Sequence, residues 1–346
     1  TNDGDIIVQN GGLLKINPDG EFVNNGLLRT TDASSLTRWD ANAASDRFID
    51  NGTWETINSA QLAIGNGVLQ DVTILTDGTA QVTITGSTDL QNVIVPSSTT
   101  VDVNNSLFVN ILSNLQNDGT INLGVADTLQ FSNDATLSGT GTINIPPGVH
   151  ADIELSSDTI PFVHPLTHTI VVDGDLDFPA NTGEITNDGD IIVQNGGLLK
   201  INPGDSDGVG DNEFNNRGTV TLSGTTATVT VTSSGGDVFH NFNLVDNGNG
   251  GTFTNNVLFV NHCGATVLAS LLSITGTGTV QNNPCAATIS DVSQLEGDSG
   301  SSDFIFTVTI NDTSIIPIEI LFETADDTAT VANNDYASNS GTITIN

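Results

Sequence analysis

The eighteen residues TNDGDIIVQNGGLLKINP at Thr1–Pro18 recur unchanged at Thr186–Pro203. Identity of that length marks an internal duplication, and a duplicated chain folds as repeated units that stack on one another. Fainter echoes accompany it. TAQVTIT from Thr79 answers TATVTVT from Thr226, NNSLFVN from Asn104 answers NNVLFVN from Asn255, and GTGTINI from Gly139 answers GTGTVQN from Gly276. All three pairs are set closer together than the long repeat, so the first copy carries extra residues. Some of these are expected between positions 31 and 61, around TRWDANAASDRF. A finer period runs inside each copy. LQDVTI from Leu69 returns as LQNVIV from Leu90, and NDGTINL from Asn117 returns as GTGTINI from Gly139, at nearly equal spacing. The recurrent unit is N-x-G-x-h-x-h, with h apolar, as in NDGDIIV, NNGLL, NDGTI and NRGTV. Its Asn and Gly read as a turn with positive φ that leads into a short alternating strand.

A unit of that size cannot bury its own core, so neighbouring units must share one. The expected fold is all-β: a right-handed parallel β-helix (β-solenoid) with coils of about 20–25 residues, each holding two or three short strands. Val, Ile and Thr dominate the apolar runs and Met is absent, which suits strands and leaves almost no helix. An array of β-sandwiches also shows short strands with frequent turns, but its repeats are longer than these echoes. The expected division is a first solenoid copy over 1–185, a shorter second copy over 186–286, and a separate module over 287–346. About a dozen coils at ~4.8 Å each would make a rod of roughly 55 Å. The chain begins and ends in mid-pattern, as a segment of a larger protein would.

Forty-one acidic residues against six basic ones give a net charge of −35. Such a polyanion is repelled by phosphate backbones and anionic lipid, which argues against nucleic acid and membrane surfaces as partners. It suits a self-repelling surface in salty water and carboxylates poised for Ca²⁺. No apolar run is long enough to span a bilayer. Cys263 and Cys285 are the two cysteines, separated by the same interval as the echoes at Asn117 and Gly139. That spacing would stack one above the other, and a disulfide there would staple the last coil in an oxidising compartment. A pair of buried thiols is the alternative.

The N-x-G-T-h-x-h pattern over most of residues 1–285 resembles the repeats of filamentous-haemagglutinin-like and autotransporter-type adhesins. That resemblance implies a secreted rod used for attachment or spacing. From Ala287 the rhythm changes: ATISDVSQLEGDSG, then FIFTVTI from Phe304, IEILFETADDTAT from Ile318 and NNDYASNSGTITI from Asn333. This order resembles the Calx-beta family, matching five ordered elements over about two-thirds of a module. The resemblance implies a partial immunoglobulin-like β-sandwich with Ca²⁺ at one end. Glu296 and Asp335 stand at ligand positions of the calcium-binding members, with Asp327, and less directly Asp326, nearby. Asp327 replaces the Gly of the family's T-A-D-G-T-A segment, and the family's acidic cluster after the last strand has no counterpart before Asn346. The alternative for Glu296 and Asp335 is a turn-holding role. A sandwich interrupted here leaves an open strand edge, suited to strand addition by other copies of the chain or by neighbouring domains.

Elsewhere, the segment from Pro203 to Glu213 carries an insertion relative to the first copy, bringing Asp205, Asp207, Asp211 and Glu213 together around glycines. It reads either as a small Ca²⁺ clip or as a solvated loop. Arg38 and Trp39 form the candidate contact for a surface glycan or protein, the alternative being a packed cap. His164 and His168 flank Pro165 in a strand context that does not suit a metal pair. Polysaccharide-degrading β-helices are the enzymatic rival, but Lys15 and Lys200 are copies of one repeat position, and nothing in the sequence marks a catalytic carboxylate pair. The expected function is therefore non-enzymatic: a secreted, calcium-stabilised rod, stalk or filament at a bacterial surface.

Overall fold

The computed structural model describes residues 1–132, 134–156, 161–179, 184–202, 213–232, 237–247, 250–268, 274–295, 300–312, 314 and 317–345. Among the described residues, regular structure is strand throughout, apart from one 3-10 turn at Val331–Asn333. The chain winds as a parallel β-solenoid. Two twelve-stranded parallel sheets run its length, one from Leu13–Ile16 to Thr266–Leu268 and the other from Glu21–Asn24 to Ile274–Thr275. The third face is built in succession by a four-stranded sheet starting at Asp5–Val8, a three-stranded sheet starting at Val93–Val95, and a six-stranded sheet from Phe162–His164 to Thr279–Asn282.

Strand alternation explains the core. Each strand presents every second side chain inward, and parallel register places like above like. One column reads Leu62, Val82, Val101, Ile121, Ile143, Ile170, Ile191, Val220 and Val245, all buried. On the six-stranded face the column is aromatic: Phe162, then Ile185, Phe214, Phe239 and Phe259. Phe239 and Phe259 stack with ring centroids 4.9 Å apart. Branched and aromatic side chains stacked this way fill the interior without a helix or a second sheet layer to cover them.

The N-x-G corner works differently from the sequence-based expectation. The motif glycines Gly26, Gly52, Gly119, Gly189 and Gly218 do not adopt positive φ. A Cβ on Gly26, Gly52 or Gly218 would instead collide with a carbonyl oxygen of the coil beneath, that of Gly4, Gly26 and Gly189 respectively. Glycine is required there by the close approach of stacked backbones rather than by its freedom to turn. Positive φ falls at other corners, such as Asn10-Gly11 and its duplicate Asn195-Gly196.

The stretch expected to hold extra residues contributes ordinary coil strands at Leu36–Trp39, Arg47–Asp50 and Thr53–Ile57. The eighteen-residue duplicates do not share a face. Asp5–Val8 lies in the four-stranded sheet, whereas Asp190–Gln194 lies in the long sheet that begins with Leu13–Ile16. Beyond the solenoid, pairing turns antiparallel: Ala287–Ile289 with Val308–Ile310, and Ile318–Glu323 with Ser340–Ile345.

Gly218→Ala is expected to destabilise the chain by about 2 kcal/mol or more, because the added methyl must displace the backbone of the coil below. Urea denaturation of the variant beside the parent chain measures it, and a change under ~0.5 kcal/mol, the size of an ordinary surface substitution, would contradict the close-approach reading of the motif.

Candidate functional site

Three polar arrangements stand out against this apolar core. The first is internal. At one corner of the coil an Asn side chain, that of the N-x-G motif at Asn187 and Asn216, joins those of neighbouring coils in a ladder of amides. Asn187 Nδ2 donates to Asn216 Oδ1 (2.8 Å), Asn216 Nδ2 to Asn241 Oδ1 (2.9 Å), and Asn241 Nδ2 to Asn261 Oδ1 (2.8 Å). The second amide proton of Asn187, Asn216 and Asn241 goes to the backbone oxygens of Thr219, Leu244 and Thr266. The ladder continues through the two histidines between Asn187 and Asn117. Asn117 Nδ2 lies 3.0 Å from His168 Nε2, His168 Nδ1 lies 3.2 Å from His164 Nε2, and His164 Nδ1 lies 2.6 Å from Asn187 Oδ1. The carbonyl end of Asn187 can only accept, so His164 carries its proton on Nδ1, and its Nε2 must accept from His168 Nδ1. Every donor along the chain then points toward the C-terminal end, and both imidazoles are neutral. Burial pushes the His164 pKa down to about 4, and burial reinforced by His164 pushes that of His168 to about 3.

The second arrangement lies on an outer face. In His150–Leu155, alternation turns His150, Asp152 and Glu154 outward. Asp152 pairs in register with Asp177 on the next coil, and Asp177 with Lys200 on the one after. His150 Nε2 stands 3.8 Å from Asp152 Oδ1 and 4.0 Å from Asp177 Oδ2, while Lys200 Nζ stands 2.9 Å from Asp177 Oδ1. Partial burial raises the pKa of Asp152, with His150 opposing the shift and Asp177 adding to it. Among the described residues these three ligand atoms form the group able to surround a metal ion, lying within 4.8 Å of one another. One imidazole and two carboxylates suit a borderline divalent ion better than Ca²⁺, which prefers an all-oxygen shell. Lys200 already shares the Asp177 carboxylate. Strand alternation alone places His150 and Asp152 on one face; only the coil register brings in Asp177.

The third arrangement closes the solenoid. Glu213, His240, His262 and Asp312 form one row: His240 Nε2 to Glu213 Oε1 at 3.3 Å, His240 Nδ1 to His262 Nε2 at 2.7 Å, and His262 Nδ1 to Asp312 Oδ1 at 3.0 Å. These three contacts need three ring protons, and two neutral imidazoles hold two. The row is therefore complete when the pair carries one extra proton between its two carboxylates. Burial, opposed by Glu213 and aided by His262, lowers the pKa of His240. The Cys263–Cys285 disulfide lies beside it, with Cα atoms 4.7 Å apart, and Cys263 N donates to Asp312 Oδ2. The last coils are thus tied to the residues that follow.

The structure describes only some of the calcium ligands expected from sequence. Glu296, Asp205, Asp207 and Asp211 lie outside the described residues. Glu213 faces His240. Asp326 Oδ1 accepts from Val331 N and Tyr336 Oη, and Asp335 Oδ2 accepts from Thr330 N, so both brace the 324–336 turn, while Asp327 donates its own backbone N–H to Ala329. Trp39 corrects another expectation. It is wholly buried, set edge-on to Phe48 with centroids 5.7 Å apart in a cluster with Trp54, and offers no surface to a glycan. Strand alternation buries Thr37 and Trp39 and leaves Arg38 outside, where it pairs with Asp40 at 3.3 Å.

No known protein family, curated protein or solved structure matches the chain. Among the described residues no helix is long and apolar enough to cross a membrane.

The neutral histidines set a pH dependence. Their folded pKa values lie below the unfolded value of 6.5, so unfolding takes up protons as acid is added. Stability is full above pH 6.5 and falls by about 1.4 kcal/mol per pH unit per histidine, down to about pH 4 for His164 and about pH 3 for His168. In urea denaturation between pH 6 and 4.5, His168→Asn is expected to lower that slope by about one proton. An unchanged slope would mean that His168 is already charged in the folded chain.

Proposed function

We propose that this chain is a secreted structural or adhesive repeat protein, a stiff rod or stalk displayed at a bacterial surface and stabilised by Ca²⁺. The observation that carries the reading is the pair of unbroken twelve-stranded parallel sheets around an apolar column. Such a coil stack resists bending because successive coils are hydrogen-bonded without a break along two of their three faces. The Cys263–Cys285 disulfide supports an oxidising, extracellular setting. The net charge of −35 supports a solvated, self-repelling exterior with weak affinity for nucleic acid or anionic lipid. Residues 287–346 fit this role as a partial Calx-beta-like, immunoglobulin-like module. Its strands Ala287–Ile289 and Ile318–Glu323 are largely exposed, and the exposed Ile305 and Leu321 leave an edge that other copies or neighbouring domains could cover.

Negative-stain electron microscopy in millimolar Ca²⁺, beside a chelated sample, tests this directly. Separate rods about 55 Å long are expected in both, with a lower thermal midpoint after chelation. Long fibres that dissolve on chelation would replace the stalk with a self-assembling filament joined by strand addition. An unchanged midpoint would remove Ca²⁺ from the proposal.

One observation favours a second reading, a cation-dependent enzyme acting on acidic polysaccharide: the outward row of His150, Asp152, Asp177 and Lys200, with a cation-holding group beside an ammonium. Release of unsaturated sugars or new reducing ends from polyuronates, lost in Lys200→Ala, would establish it. The stalk reading expects neither.

A further inference from the structure

Several acids on the outside of the solenoid are answered by an amide of the next coil. Asn110 Nδ2 donates to Asp89 Oδ1 at 2.7 Å, Asn122 Nδ2 to Asp102 Oδ1 at 2.6 Å, and Asn195 Nδ2 to Asp173 Oδ1 at 3.0 Å. Asp152 has no such cover. It lies in register with Asp177, and among the paired strands of the described residues this is the one place where acid is set directly against acid. Like charges in that position repel. Asp175, on the same strand as Asp177 and in register with His150, adds a third carboxylate to the patch. Lys200 answers one of the three, with its Nζ at 2.9 and 3.2 Å from the two oxygens of Asp177.

What this pair has in place of an amide is an imidazole. His150 Nε2 stands 3.8 Å from Asp152 Oδ1 and 4.0 Å from Asp177 Oδ2, and the three ligand atoms lie within 4.8 Å of one another. A tetrahedral ion with bonds of about 2.1 Å holds its ligands about 3.4 Å apart, so His150 needs to close on each carboxylate by about half an ångström. All three side chains are partly open to solvent, which leaves an ion a way in and the side chains room to turn. His150 and Asp152 belong to one coil and Asp177 to the next, so an ion held here bridges two coils.

We propose that His150, Asp152 and Asp177 form a binding site for a borderline divalent transition-metal ion of the Zn²⁺ class, held by Nε2 and one oxygen of each carboxylate, with water completing a four-coordinate shell. The ion does for the stacked acids what an Asn does elsewhere on the outer faces. It takes the Asp177 oxygen nearer His150 and leaves Lys200 the other. An imidazole ligand and only three protein donors favour this class over Ca²⁺, which takes six to eight oxygens. The assignment rests on the cation-holding group of the second reading above, and not on its catalysis.

Isothermal titration calorimetry of the full chain, free of any histidine tag, measures Zn²⁺ binding. One ion is expected to bind and to stay bound against equimolar Ca²⁺. His150→Ala is expected to weaken binding about tenfold or more, and Lys200→Ala, which removes the competing ammonium, to tighten it. Both side chains leave outward strand positions, and matching urea midpoints check that the variants fold. Unchanged affinity in His150→Ala, weaker binding in Lys200→Ala, or displacement by equimolar Ca²⁺ would overturn the assignment. The polyuronate assay separates the two ideas. Zn²⁺ binding that obeys these variants without release of sugars removes the enzyme and keeps the ion, whereas release of sugars by a chain that binds no Zn²⁺ overturns the ion and keeps the enzyme.

Discussion

Everything in this molecule depends on one coil lying in parallel register on the next. At about 4.8 Å per step there is room for a hydrogen-bonded backbone and for nothing else, and each position inherits its environment from the residues above and below it. That is why Ile170 sits between Ile143 and Ile191, and why the corner glycines cannot carry a side chain. It is also why polar residues appear inside at all. An amide stacked on an amide satisfies its donor and acceptor from its neighbours, so an Asn buried at every coil costs little, where an isolated buried Asn would be costly.

The ladder gives the rod a polarity that the apolar columns lack. Its donors point one way, and the insertion of His168 and His164 keeps that direction while adding two groups that tolerate only the neutral state. At the far end the logic inverts. The Glu213–His240–His262–Asp312 row is complete only when it holds an added proton, and it lies against the disulfide where stacking gives way to antiparallel pairing. Burial without a carboxylate partner keeps one histidine pair neutral, whereas the other pair lies between two carboxylates.

Much of the fold is legible in the residues. The echoes at Leu69 and Leu90, and at Asn117 and Gly139, set the coil length. The alternation of Val, Ile and Thr sets the strands, and the cysteine spacing matches one coil. The N-x-G corner is visible too, but its cause is not. Sequence cannot distinguish a glycine needed for positive φ from one needed because another backbone passes within contact distance. Arg38 and Trp39 read either as a surface contact or as a packed cap; alternation in Leu36–Trp39 settles it by turning Trp39 inward and Arg38 outward. The candidate sites are the least legible. Asp152 and Asp177 stand on successive coils with a whole turn of chain between them, and nothing local announces that they meet.

By itself, then, the sequence determined the class of fold, the coil length and the inward residues, because these follow from two-residue alternation along a strand and from the recurrence of the corner motif along the chain. Tertiary structure decided what the same residues do in different places. The same sequence forms an inner coil at 186–202 and the first coil at 1–17, on different faces, and Lys15 and Lys200 pair in opposite directions. The physical reason is that a solenoid coil has no interior of its own. Burial, charge pairing and tolerance to a methyl group all belong to the contact between coils, and that contact is absent from any local stretch of sequence.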